Sequence, residues 1–283
     1  MIFKKTLYCR YDPTIEIESS VGGLRIFVPT KNGYINYNFV HCICEIKNCN
    51  TWRLGKAYAF DDNFENEFEL TPKGAEWDMA LRIDGRPDFI GGYAHGDEIF
   101  NSLSLSLDGI PTEMESLTAM TEFCELIITV ESIGFDPNDS VMPALKHFKE
   151  YAISKDGITL NQRVEWLNDY TLGASYMAMM PPLKSLTDKF YTNVDNAPKD
   201  AADNYGCILG ATRAVVYGTE SGISFSMSIP KYPSLVGGNS FLLTDNRGKP
   251  YNKMYFVICK GADVSEGDVW ETTTEYNITN GNL

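Results

Sequence analysis

Histidine is scarce, three among 283 residues, so an imidazole that carries chemistry here has few partners of its own kind. No run approaches the roughly 18 to 20 consecutive apolar residues that a helix needs to cross a bilayer, and no membrane partner is expected. Basic residues are outnumbered, 24 Lys and Arg against 38 Asp and Glu. The net charge of −14 argues against nucleic acid, because phosphate binding draws on a basic surface. Any acidic ligand would have to be met by a local basic cluster. The seven cysteines (Cys9, Cys42, Cys44, Cys49, Cys124, Cys207 and Cys259) are an odd number without paired CxxC spacing, which points to free reduced thiols rather than zinc or a disulfide framework. A Gly-x-Ser-x-Gly elbow, a phosphate-binding glycine loop, a 20- to 50-residue repeat and a low-complexity linker are all missing. The basic start Met1-Ile2-Phe3-Lys4-Lys5 passes straight into Tyr8-Cys9-Arg10-Tyr11-Asp12 without the apolar core of a signal peptide. A cytoplasmic product is expected, leaving the cell only within an assembly such as a virion.

What is present is alternation. Leu24, Ile26 and Val28, then Tyr34 to Val40, Ile127 to Val130, Ile158 to Trp166, Gly222 to Ile229, Tyr255 to Ile258 and the tail Trp270 to Ile278 all repeat with period two, the signature of half-buried strands. Turn residues punctuate them at Lys31-Asn32-Gly33, Asp84-Gly85, Asp108-Gly109, Asp156-Gly157 and Asn246-Arg247-Gly248. Helical periodicity is scarce. Ser140 to Tyr151 could be a short helix, but Pro143 and the face His147, Lys149, Tyr151, Ile153 favour a strand. The expected fold is an all-β antiparallel sandwich or jelly roll in one domain, 1–283, with a long surface loop near 187–204.

Two regions could carry chemistry. In the first, Trp77, Met79, Leu81 and Ile83 would share the buried face of a strand, leaving Asp78, Arg82 and Asp84 on the other. The motif Gly91-Gly92-Tyr93-Ala94-His95-Gly96-Asp97-Glu98 follows, its glycines leaving backbone open to a ligand. Alternation would place Tyr93, His95 and Asp97 together, an acid, a base and an orienting group near neutral pH. The alternative is a hydrogen-bonded structural histidine in a turn closed by Asp97 and Glu98. A transition metal at His95, Asp97 and Glu98 would lack a second imidazole, since His41 and His147 have no ligand-like context; loop carboxylates could hold calcium, and no other cofactor is expected.

In the second region Ile158, Leu160, Val164 and Trp166 would face the core, and Asn161, Arg163 and Glu165 a polar stripe suited to a sugar polymer. An Arg to Glu pair on a solvated face is the plainer explanation. Tyr176 could reach a groove, whereas Met177, Met179 and Met180 read as core filler. Sixteen tyrosines and four tryptophans suit stacking on sugar rings, and equally the filling of β cores.

Arg82, then Ile90-Gly91-Gly92-Tyr93-Ala94-His95-Gly96, then Tyr176 resembles, in order, the motifs of the β-jelly-roll polysaccharide lyases, the alginate-lyase-like group, with Tyr93 where a glutamine is usual. The run Trp77 to Glu98, with Trp52-Arg53-Leu54 and the Trp270 strand, also resembles phage and prophage tail domains. The lyase resemblance implies β-elimination on a uronic-acid polymer. Arg163 or Arg82, helped by Gln162, would neutralise the sugar carboxylate; His95 or Tyr176 would take the proton; Tyr176 would protonate the leaving oxygen. Tyr93, Asn161, Gln162 and Glu98 complete the expected sugar-binding set. The tail-domain resemblance implies a glycan-binding or structural module, a homo-oligomer without catalysis.

Overall fold

Along Leu126–Asp136, Gly157–Trp166 and Val269–Asn280, side chains turn alternately to the interior and to solvent, so these adjacent strands present one apolar face. The computed structural model describes residues 6–15, 20–72, 74–92, 95–201, 206–233, 240–244 and 248–281. Among them there is no α-helix, only three short 3-10 turns at Glu45–Lys47, Met114–Ser116 and Lys184–Leu186. Asp139–Ser154 is a strand, as its period-two face predicts. Pro143 is accommodated where the pairing with Leu126–Asp136 shifts register, so its missing N–H breaks no regular ladder.

The larger sheet orders its strands Thr121–Phe123, Leu7–Asp12, Ser20–Thr30, Gly33–Cys44, Cys49–Phe60, Glu98–Leu107, Leu126–Asp136, Asp139–Ser154, Gly157–Trp166, Val269–Asn280, Ile223–Lys231, Arg213–Tyr217, Lys189–Thr192 and Lys199–Asp200. Neighbours are antiparallel except at one junction, where Cys49 and Asn50 pair in parallel with Glu98 and Ile99. Only two residue pairs hold that junction, and there the sheet turns back on itself. Beyond it, the Phe39 and Tyr151 rings meet at 5.4 Å and the Lys149 ammonium reaches the Trp52 carbonyl at 3.2 Å, contacts made face to face across layers. The smaller sheet, ordered Gly206–Leu209, Ser240–Thr244, Lys253–Cys259, Ser175–Met180, Ala80–Leu81 and Ile90–Gly91, packs on the same interior face. There Gln162 Nε2 donates to the Met177 carbonyl at 2.7 Å and the Tyr276 hydroxyl to the Trp77 carbonyl. The fold is therefore an antiparallel all-β sandwich, in agreement with the sequence pattern.

Within 187–201, the described part of the segment expected as a surface loop, Lys189–Thr192 and Lys199–Asp200 form short strands at the sheet edge. Cys9, Cys42, Cys44, Cys49 and Cys124 are free thiols. Burial pushes the Cys9 thiol up to about 12 and that of Cys49 to about 11, which keeps them unreactive near neutral pH.

Charge also enters the interior. Lys149 lies 3.1 Å from both Asp78 and Glu98, and Arg53, Lys149, Asp78, Glu98 and His147 are all nearly inaccessible to solvent. Burial alone would raise the Glu98 carboxyl, but the Lys149 charge and the contact with His147 hold it well below the usual range. Burial would likewise depress Lys149, and the charges of Glu98 and Asp78 raise it instead. Two cations facing two anions is the arrangement that makes buried charge tolerable. The polar face foreseen for Asp78 is thus interior, because Lys149 supplies a partner there.

Candidate functional site

The outer face of the smaller sheet carries an aromatic surface with a histidine at its edge. A register irregularity at Met177 resets the alternation of Ser175–Met180, so Tyr176 and Met179 point outward and Met177, Ala178 and Met180 inward. Tyr255, from the neighbouring strand, meets Tyr176 edge to face at 5.1 Å. Phe89 lies 6.1 Å from Tyr176 and 4.7 Å from the His95 ring, and the Arg82 guanidinium sits 5.6 Å over Phe89.

His95 is held between two carboxylates. Its Nδ1 is 2.5 Å from Asp88 Oδ1, and its Nε2 is 3.6 Å from Glu76 Oε1, beyond hydrogen-bond range. The other Glu76 oxygen accepts the Tyr255 hydroxyl at 2.7 Å. Burial and then the Glu76 charge raise that phenol well above its ordinary value, so it stays a donor. Burial would raise Asp88, but hydrogen bonds from Lys47, the Phe89 amide and His95 bring its carboxyl below the usual range. The His95 side chain is 27% exposed, open enough to meet a ligand and enclosed enough to be oriented.

The loop before it explains the glycines. Gly92 adopts φ +68°, and a Cβ there would come within 2.9 Å of Glu76 Oε1 and 3.0 Å of His95 Cδ2. Gly96 and Asp97 also have positive φ, so residues 95–97 turn rather than extend, and the strand alternation expected to align His95 with Asp97 does not operate. Lys47 ties the loop down twice, through Asp88 at 2.9 Å and through its carbonyl, which accepts the Asp97 amide at 2.8 Å.

Of the residues foreseen from sequence, Arg82, His95 and Tyr176 come together around Phe89. Tyr93 lies outside the described residues. Glu98 is 1% exposed and bonded to Ser132, His147 and Lys149, so it cannot touch a sugar. Gln162 is 2% exposed, its amide spent on His147 and the Met177 carbonyl. Arg163, one residue on, must point to the opposite face of its strand, where it pairs with Glu165 at 3.1 Å; Asn161 lies on that face too, between Glu150 and Thr273. Those two residues and His95 are thus on opposite outer faces of the sandwich. Glu76, Asp88, Phe89, Tyr255 and Lys47 were not singled out from sequence. Asp88-Phe89 leading into the Gly91-Gly92 pair was the one local hint, whereas Glu76 and Tyr255 are 179 residues apart and meet only through the fold.

The sequence matches no family model and no curated protein. A solved structure does match. The crystal structure of a galactose mutarotase-like protein from Clostridium acetobutylicum superposes with a TM-score of 0.50 at 11% identity, covering 98% of this chain and 100% of that one. The galactosidase domain of an α-galactosidase–sucrose kinase aligns at 0.47 with 10% identity, over 91% of this chain and 41% of that one. At such identities the first likeness concerns the fold alone, and it agrees with the all-β sandwich.

In no group of three or more His, Cys, Asp and Glu among the described residues does the geometry suit a metal ion. What the site offers is a donor and acceptor pair beside an aromatic surface. Asp88 orients the ring through Nδ1, which leaves Nε2 on the side of Glu76, a second carboxylate 3.6 Å away.

Proposed function

We propose that this chain recognises a carbohydrate on the partly exposed Phe89 and Tyr176 rings, backed by the buried Tyr255, and performs acid–base chemistry on it with His95 and Glu76. The observation that carries the reading is the imidazole fixed at 2.5 Å by Asp88, with its free nitrogen 3.6 Å from Glu76, at the edge of three aromatic rings. Aromatic faces stack on the apolar side of a pyranose, and a sugar hydroxyl placed beside Nε2 and Oε1 could hydrogen-bond to both.

Two carboxylates beside the histidine favour a neutral sugar over a uronate. The reaction best matched to such a pair is opening and reclosing of a reducing sugar. One group removes the proton from the anomeric hydroxyl while the other protonates the ring oxygen, the C1–O bond breaks, and closure returns both protons. A mutarotase-like protein built on the same fold is compatible with this reading.

A second reading keeps the β-elimination implied by the lyase resemblance, with Arg82 neutralising the sugar acid, His95 taking the proton and Tyr176 serving the leaving oxygen. The position of Arg82 over Phe89, on the same face as His95 and Tyr176, favours it.

Polarimetry on freshly dissolved α-aldoses and ultraviolet absorbance of unsaturated products from uronic polymers separate the two. Catalysed mutarotation that disappears in His95→Ala supports the first. Unsaturated product that disappears in His95→Ala and in Arg82→Ala supports the second. Glycan binding with neither signal would leave the non-catalytic module of the tail-domain resemblance.

A further inference from the structure

The opposite outer face of the sandwich has a cleft of its own. It encloses about 400 Å³ and is lined by Asn101, Glu131, Ile133, Lys146, Phe148 and Arg163, within the size range of small-ligand sites. None of these residues reaches the His95 side.

The cleft is built on a row across three strands. Phe148 pairs directly with Glu131 on one side and with Arg163 on the other, so a partly exposed aromatic ring stands between a carboxylate and a guanidinium with neighbouring strands about 4.8 Å apart. Asn101 arrives there by a second feature. In the pairing of Glu98–Leu107 with Leu126–Asp136, Glu131 faces Ser102 and Ser132 faces Phe100, leaving Asn101 as the extra residue of a β-bulge. Bulges re-aim side chains, and this one delivers an amide to the cleft wall.

Charge narrows the occupant. Glu165 pairs with Lys146 at 2.9 Å and with Arg163 at 3.1 Å, and Glu131 is the remaining carboxylate. Two cations and two anions leave no net charge, so neither a phosphate nor a uronate is drawn in. An aromatic ring ringed by amide, carboxylate, ammonium and guanidinium groups offers stacking together with both donors and acceptors, which is what a neutral polyhydroxylated ring requires.

The polar surface continues. Asn161 is hydrogen-bonded to Glu150 and Thr273, and beyond it a second depression of about 380 Å³ is lined by Thr159, Arg213, Ser226, Ser228, Glu275 and Asn277. Four strand spacings, roughly 19 Å, separate the Phe148 strand from the Arg213 strand, the length of a short oligosaccharide.

We infer that this face is a second, non-catalytic glycan-binding surface, with one neutral hexopyranose stacked on Phe148 and the chain running across the strands toward Arg213. It is independent of the chemistry assigned to His95.

The test is calorimetric titration of the full chain with neutral tetrasaccharides of glucose, galactose and mannose, and with a uronate tetrasaccharide as control. The expected result is binding of a neutral probe, weakened about tenfold or more in Phe148→Ala and in Arg163→Ala and retained in Phe148→Tyr. Phe148 is partly exposed, and an unchanged unfolding midpoint for Phe148→Ala would show that the loss is local. Failure of every neutral probe to bind, equal or tighter binding of the uronate, or neutral binding indifferent to Phe148→Ala would each overturn the inference. Binding lost only in His95→Ala would assign the glycan to the other face.

Discussion

Asp88 and His95, seven residues apart in sequence, bring a carboxylate oxygen to 2.5 Å from Nδ1 of the imidazole and so leave Nε2 on the side of Glu76. Lys47 holds the second Asp88 oxygen at 2.9 Å, and the Phe89 amide donates to the first. The carboxylate is therefore anchored before it orients the ring. In Asp88→Asn the amide can offer the ring a donor instead of an acceptor, inverting the preferred arrangement. Activity on a reducing sugar should fall about 100-fold, within the range of a misplaced acid–base group, with little change in KM because Asp88 need not touch the sugar. Equal turnover in the variant would remove the histidine pair from the mechanism.

Glu98 is the first of the buried charges to test. Glu98→Gln leaves Arg53 and Lys149 facing Asp78 alone and should cost about 3 to 5 kcal/mol, the usual penalty for stranding a buried charge, read as a drop in the urea midpoint. Adding Lys149→Met removes the stranded cation, and the double variant should be more stable than the sum of the two single losses. Strict additivity would mean that the two charges do not interact.

The sheets were legible in the sequence because each long strand buries one face, and period-two patterning records that directly. The 139–154 strand could be read despite Pro143, since His147, Lys149, Tyr151 and Ile153 keep one parity. Polarity misled where the interior holds charge. Asp78 and Glu98 look solvent-facing because their partner, Lys149, lies 71 and 51 positions away and only the fold brings it close. His95 stood out by its glycine neighbours, but its partner Glu76 comes from an unremarked stretch before the strand, and Tyr255 from the far end of the chain. Arg163 failed to join them for a reason of parity, since a residue adjacent to inward-facing Gln162 must face outward.

The same buried pair sets the pH range of stability. Glu98 titrates below its unfolded value, so its contribution is present above the ordinary glutamate range and is lost as pH falls through its folded value. Lys149 titrates above its unfolded value, so its contribution is present below the ordinary lysine range and is lost as pH rises through its folded value. The unfolding midpoint should therefore be flat across neutral pH and decline at both extremes. Glu98→Gln should have a shallower acid decline than the parent chain. Identical acid slopes would show that other carboxylates, such as Asp88 or Asp136, dominate there.

Arg82 separates the two chemical readings of the His95 site. Its side chain is exposed and lies over Phe89, with one hydrogen bond at 3.5 Å to the Arg86 carbonyl; Arg86 itself is fixed by two contacts to Asp136, at 2.7 and 2.8 Å. The turn should therefore survive Arg82→Ala, and any loss can be assigned to the guanidinium. If the substrate is a neutral sugar, no charge needs balancing there, and the variant should keep its rate within about threefold, a change of roughly 0.7 kcal/mol in barrier. If the chemistry is elimination from a uronate, the same substitution removes the group that stabilises the developing negative charge, and kcat should fall about 100- to 1000-fold. A profile in which His95→Ala is inactive and Arg82→Ala is nearly normal would assign the site to a neutral ring rather than a uronate.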